Sequence, residues 1–298
     1  MDLAYRLLYA AVWCASLAPL RLARLWGRLL GLAWYRLDRR HRRIVLDNLR
    51  ASFPGQDPSW IERTARGVFL HLGQVVSEIP YLLRWPLKRI ESQVRLRGVE
   101  HFRRAQAKGR GVLLLTGHLG NWEWASLAAT GVVAPAAVVA RPIDWPPADR
   151  LVNRWRSKTG HKVVPKTASA RRILRLLRQG HAIGVLLDQN VDWYDGQWVE
   201  FFGRQACTNK GLALLARATG APVLPFYCFR APDGRFEVCF GPEVELVKTG
   251  DKTKDVWQNT QNYTRALEEI IRQHPEQWFW LHQRWKTRPY HLWPRERN

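Results

Sequence analysis

Residues 1–35 are apolar, helix-prone and free of acids after Asp2. Their longest uncharged run, 7–20, has 14 positions and contains Pro19, short of the roughly 20 a helix needs to cross a bilayer. Arg21, Arg24 and Arg28 follow on one helical face, with Leu22, Leu25, Leu29 and Leu32 elsewhere around the wheel. The pattern predicts an N-terminal anchor that lies in the membrane interface or passes through it once. Residues 36–93 form a basic helical lead-in. It begins with Arg39-Arg-His-Arg-Arg43, a first helix ends at Phe53-Pro54, and Trp60, Thr64, Val68, Leu72, Val75 and Val76 predict a second helix over 58–83, interrupted at Pro80.

From about Val94 the period changes. Short apolar runs at 112–115, 136–140, 182–187, 222–227 and 236–240 read as strands. Helical patterns separate them, at 122–127, 149–157, 170–177 and 209–218, and a long amphipathic helix covers 256–273 before an aromatic tail. The alternation predicts an α/β sandwich over 94–298, with a central mixed, largely parallel sheet flanked by helices. There is no internal repeat and no low-complexity segment.

Composition adds a partner class. Of 298 residues, 47 are Lys or Arg and 25 are Asp or Glu, a formal net charge of +22, and 16 are Trp. So basic a surface draws nucleic acid, an anionic membrane, a phosphorylated lipid or an acidic carrier protein. Trp with Arg favours the membrane interface, and nothing in the chain resembles a module that reads RNA or DNA. The basic knot at Arg39–Arg43, beside the candidate anchor, fits the cytoplasmic headgroup layer.

Cys14, Cys207, Cys228 and Cys239 form no C-x-x-C pair and no metal-like spacing with histidines. The chain also lacks a phosphate-binding glycine loop, a dinucleotide fingerprint and a G-x-S-x-G elbow. No metal or cofactor is therefore expected. Strand ends are where a sheet of this kind carries its chemistry. His118 and Glu123 follow the first strand in Gly117-His-Leu-Gly-Asn-Trp-Glu123, Arg141 follows the second, and Asp188 and Gln189 follow the third. A histidine on a strand-to-helix turn is suited to take a proton near neutral pH, and a carboxylate can orient it; Glu123 is the candidate for that role. Asn121 can cap the following helix, and Asp188 reads equally as a cap or a site residue.

The segment Gly117–Glu123 resembles the signature of the bacterial lipid A biosynthesis acyltransferases, the lauroyl/myristoyl transferase family. Asn48-Leu-x-x-x-Phe-Pro54, Arg141-Pro142, Arg156 ahead of Gly160, Leu187-Asp-Gln189, Phe201-Phe-Gly203 and Ala216-x-x-Thr-Gly-Ala-Pro-Val223 resemble further blocks of that family. So does Pro275-Glu-Gln-Trp-Phe-Trp-Leu-His-Gln-Arg-Trp-Lys286, in which Gln283 replaces a commoner arginine. The resemblance implies a glycerolipid-acyltransferase-like fold and an acyl-carrier-protein or CoA thioester as donor. It also implies a lipid A precursor as acceptor, at the cytoplasmic face of the inner membrane. His118 is then the general base and Glu123 its orienter. Gly120, Asn121, Arg141, Arg156, Asp188 and Gln189 are candidates for oxyanion support or substrate binding. Two alternatives are an acyltransferase of the same family acting on another glycolipid or lipid conjugate, and a non-catalytic binder of anionic membrane or nucleic acid.

Overall fold

The structure, a computed structural model, describes residues 3–140, 143–160, 162–165 and 170–287. The N-terminal region is two helices, α1 (Leu3–Ala15) and α2 (Leu20–Leu37), broken before Pro19 and bent by 112°. No single helix among the described residues is long and apolar enough to cross a membrane; the bent pair together passes on length and composition. Asp38 caps α3 (Arg39–Ser52), accepting from the His41 amide, and Asp57 caps α4 (Pro58–Arg84), accepting from the Trp60 amide. The expected interruption at Pro80 does not occur. Proline costs α4 one backbone bond, but Leu72, Val75, Tyr81 and Leu82 are buried around it, and this packing holds the helix together.

The buried face of α2 carries a row of small residues, Ala23, Gly27 and Gly31, and ends in Tyr35. A Cβ on Gly27 would lie 2.6 Å from the Gly73 carbonyl oxygen of α4, so the two helices cross backbone to backbone. The opposite face leaves Leu22, Leu25, Trp26, Leu29 and Leu30 exposed, and α1 adds Leu3, Leu7 and Trp13. Of the four arginines in α2, Arg21, Arg28 and Arg36 are exposed, while Arg24 turns inward.

The rest of the described chain runs α5 (Leu87–Glu91), β1 (Val94–Arg97), α6 (Val99–Gln106), β2 (Val112–Thr116), α7 (Trp122–Ala128), α8 (Thr130–Val133), β3 (Ala136–Ala140) and α9 (Pro146–Arg156). It continues with β4 (Lys162–Pro165), α10 (Ala170–Arg178), β5 (Ala182–Leu186), β6 (Gly196–Phe201), β7 (Arg204–Asn209), α11 (Gly211–Thr219), β8 (Val223–Arg230), β9 (Phe236–Phe240) and α12 (Lys252–Gln273). Seven strands form one sheet in the order β1-β9-β8-β2-β5-β3-β4. Every neighbouring pair is parallel except β8 and β9, so the sheet is mixed and largely parallel. Its two faces carry separate cores: Leu113, Leu115 and Ile183 on one side with α11 and α12, and Leu114, Trp124 and Ala125 on the other with α7. The strands β1 and β4 and the β6–β7 hairpin have no counterpart in the sequence pattern, because they are short or flanked by charge. The tail aromatics Trp278 and Trp280 are buried core residues. Asn48 of α3 donates to the carbonyls of Trp280 and His282, tying an early sequence block to the closing one.

Candidate active site

The site follows from strand register. β2 and β5 are parallel neighbours with Thr116 opposite Leu186, so the residues two beyond each strand end, His118 and Asp188, emerge side by side. The fit is close: a Cβ on Gly117 would stand 3.1 Å from the Asp188 carboxyl carbon, so a side chain there would press on that carboxylate. His118 Nδ1 lies 3.0 and 3.2 Å from the two Asp188 oxygens, and Asp188 Oδ2 also accepts from the His118 amide at 2.7 Å. A further donor comes from the tail, where Trp278 Nε1 reaches Oδ2 at 3.0 Å. Phe279 N donates to the His118 carbonyl at 3.1 Å, and the Trp122 ring stands edge-on to the imidazole at 5.0 Å. With Nδ1 donating to the carboxylate, the neutral ring carries its lone pair on Nε2.

Burial alone would lower the basicity of His118. The charge and hydrogen bond of Asp188, helped by the charge of Glu123, outweigh it and raise the imidazole above its ordinary range. Burial would likewise raise Asp188, and His118 with the Trp278 donor holds it below the usual carboxylate range instead. The pair thus sustains a buried carboxylate that favours a protonated imidazole. His282, nearby in the tail, is lowered by burial, and its Nε2 accepts from the Asn190 amide at 2.8 Å, so it is a neutral acceptor.

The carboxylate bonded to His118 is therefore Asp188, and Glu123 has another task. Glu123 Oε2 accepts from Trp155 Nε1 at 2.9 Å and Arg156 Nε at 3.1 Å, and Oε1 accepts from Arg156 Nη2. The reason is helical geometry. Five positions on, past a turn and one residue into α7, Glu123 faces α9, and it acts on His118 through its charge alone. Gly120 and Asn121 are also bound otherwise than expected for oxyanion support. The Gly120 amide donates to the Gln277 carbonyl and its carbonyl accepts from His71 Nε2. Gly120 has φ of +60°, and a Cβ there would collide with the Cys228 carbonyl. Asn121 Oδ1 caps α7 through the Trp124 amide, and Asn121 Nδ2 donates to Glu78 at 2.9 Å. Both residues hold the turn that carries His118.

Sequence reasoning missed the network beneath that turn. Glu78 of α4 is fully buried and accepts from Arg230 of β8 at 2.6 and 2.7 Å, from Arg24 of α2 at 2.6 Å and from Asn121. Nothing in the spacing joins these residues, which lie up to 206 positions apart (230 − 24). Trp278 was legible only as an aromatic of the tail. Arg141 lies outside the described residues.

His118, Glu123 and Arg156 open onto a cavity of about 1100 Å³, which Gln189 also lines. Its walls are mostly apolar: Leu114, Val138 and Leu186 from the sheet, Ala125 from α7, Leu215 from α11. Among the described residues no three His, Cys, Asp or Glu side chains come together as ligands of a metal ion would. A histidine held by a buried carboxylate and lining a largely apolar cavity is suited to taking a proton from a hydroxyl bound there.

Comparison with known proteins supplies the family. The sequence profile described as bacterial lipid A biosynthesis acyltransferase matches residues 3–287. The lipid A biosynthesis lauroyltransferase of Escherichia coli K12 is 30% identical over 263 residues, 87% of this chain and 84% of that protein. A phosphatidylinositol mannoside acyltransferase of Mycolicibacterium smegmatis is 26% identical over 201 residues, 66% of this chain and 64% of that protein. Among solved structures, the 1-acyl-sn-glycerophosphate acyltransferase of Thermotoga maritima aligns over 87% of this chain and 97% of its own. The TM-score is 0.39 and the identity 15%.

Proposed function

Given that the chain belongs to the bacterial lipid A biosynthesis acyltransferase family and is an acyltransferase, we propose that it moves a fatty acyl chain from a thioester of acyl carrier protein or CoA to a hydroxyl of a lipid A precursor. His118 is the general base. The observation that carries this reading is His118, bonded to the buried Asp188 and lining the apolar cavity.

In the proposed reaction, His118 Nε2 takes the proton of the acceptor hydroxyl as its oxygen attacks the thioester carbonyl carbon. Asp188 holds the ring through Nδ1 and stabilises the imidazolium that forms. Arg156, fixed by Glu123, faces the cavity with a guanidinium edge that suits the tetrahedral oxyanion or a phosphate of the acceptor. Collapse of the intermediate breaks the carbon–sulfur bond, and the departing thiolate takes the proton back from the imidazolium. The hydroxyl attacks directly, so the reaction requires no Ser or Cys nucleophile and no cofactor.

The exposed apolar face of α1 and α2 is proposed to lie in the inner membrane's cytoplasmic interface, beside anionic headgroups that the net charge of +22 attracts. Acidic acyl carrier protein would be drawn by the same charge. The decisive experiment is mass spectrometry of the product made by the purified protein from a lipid A precursor and a series of acyl thioesters. One added acyl chain supports the reading, and no product from any donor defeats it. The mycobacterial relative favours a second reading, acylation of a different glycolipid. Lipid profiles of cells lacking the gene separate the two, since unchanged lipid A with another lipid one acyl chain short selects the second.

A further inference from the structure

We infer that Gly184, in the middle of β5, sets the length of acyl chain the enzyme accepts; this rests on the acyl-transfer reading above. Register places Leu114 of β2, Gly184 of β5 and Val138 of β3 in one row across the sheet, on the face toward α7, and all three line the cavity. The row above, Thr116 and Leu186, lies just beneath His118 and Asp188 and lines the cavity too. From residue 118 down to residue 114 is about 13 Å of strand, at roughly 3.3 Å per residue. A chain whose carbonyl meets His118 and whose methylenes follow this face reaches the Leu114–Gly184–Val138 row near its far end.

The glycine is not there for backbone reasons. Gly184 does not have the positive φ that several other glycines of the chain adopt. A Cβ built on it would find its nearest neighbours at 3.8 Å (Val138 Cγ2) and 3.9 Å (Ala137 carbonyl oxygen), ordinary contact distances. Glycine inside a strand weakens it, and a parallel strand between two others is normally filled with branched apolar side chains. Here the missing side chain is matched by open volume, and Gly184 is only partly buried although β5 lies inside the sheet. Space for a ligand is the physical use left for it. A leucine at 184 would project into the cavity and close it at that depth.

The test uses the full chain, purified, with saturated acyl thioesters of eight to sixteen carbons and the lipid A precursor as acceptor, comparing wild type, Gly184→Leu, Gly184→Ala, Val138→Ala and Leu215→Phe. For Gly184→Leu, kcat/KM with the longest donor that wild type uses well is expected to fall at least tenfold. With donors about four carbons shorter it should stay within about threefold, since each methylene refused by an apolar pocket is worth about ten- to two-hundredfold. Gly184→Ala should move the preference the same way by less, and Val138→Ala should extend use to longer donors. These two mild variants keep the test decisive if Gly184→Leu does not fold. Folded variants with the wild-type chain-length profile would overturn the inference. So would a profile that shifts only on Leu215→Phe, from α11 on the other face of the sheet. Absence of transfer by wild type from every donor would instead defeat the acyl-transfer reading itself.

Discussion

His118 must be neutral to accept a proton, and its surroundings raise its affinity for one. Activity is therefore expected to rise with pH through a value above the ordinary imidazole range of about 6.5. Asp188→Asn removes the charge and much of the hydrogen bonding that raise it, while burial, which lowers it, stays. The acidic limb of kcat/KM should move to lower pH as kcat drops about 10²- to 10⁴-fold. Glu123→Gln should shift that limb the same way by less, because the charge of Glu123 contributes less than that of Asp188. A pH–rate profile of the two variants assigns the orienting carboxylate. A limb moved more by the Glu123 change would return that role to Glu123. His118→Ala should abolish transfer while leaving the melting temperature and vesicle binding near wild type. The same pairing affects stability: with the folded value raised, the contribution of His118 is complete below about pH 6.5 and is lost as pH rises through the folded value.

At the scale of elements, two contacts fix the N-terminal helices, one between α2 and α4 and one from α4 to β8 of the sheet. The crossing of α2 and α4 depends on Gly27, Gly31 and Gly73 having no side chain. Gly73→Val would drive a Cβ into the Gly27 carbonyl, and the overpacking is expected to cost about 1–3 kcal/mol, read as a lowered midpoint in denaturant. Glu78 sits between Arg24, Arg230 and Asn121. Glu78→Ala would leave two arginines facing a buried site without a counter-charge, a loss of about 3–5 kcal/mol. It also frees the side chain of the residue that caps α7, so the turn carrying His118 should loosen, and surviving activity should fall further than folded fraction explains. Proline at 80 illustrates the limit of local rules: the residue that breaks a bare helix is tolerated where thirteen residues of α4 are buried.

For the whole molecule, charge and apolar exposure act on the same partner. Binding to vesicles containing anionic lipid is expected to weaken as salt rises, because exposed arginines such as Arg21 and Arg28 are screened. Trp26→Asp together with Leu30→Asp, both on the exposed face of α2, should reduce co-sedimentation with vesicles roughly tenfold or more. An unchanged melting temperature would confirm that the substitutions touched no packed surface. Equal binding by this variant and wild type would remove α2 from the membrane contact.

The strands β2, β3, β5 and β8 could be read before the fold was known, because continuous apolar runs bounded by turn residues have few other uses. The same reading marked His118, since two glycines and a capping asparagine around a histidine are a local arrangement. What could not be read was which acid it meets. Glu123 is near in sequence but lies on a helix that faces α9, whereas Asp188 is brought alongside by the pairing of β2 with β5, a long-range contact with no trace in spacing. Trp278, Glu78 and Arg230 join the turn for the same reason: they come from elements that only the packed sheet sets side by side. Local order is written in short-range pattern, and the identity of a catalytic neighbour depends on register.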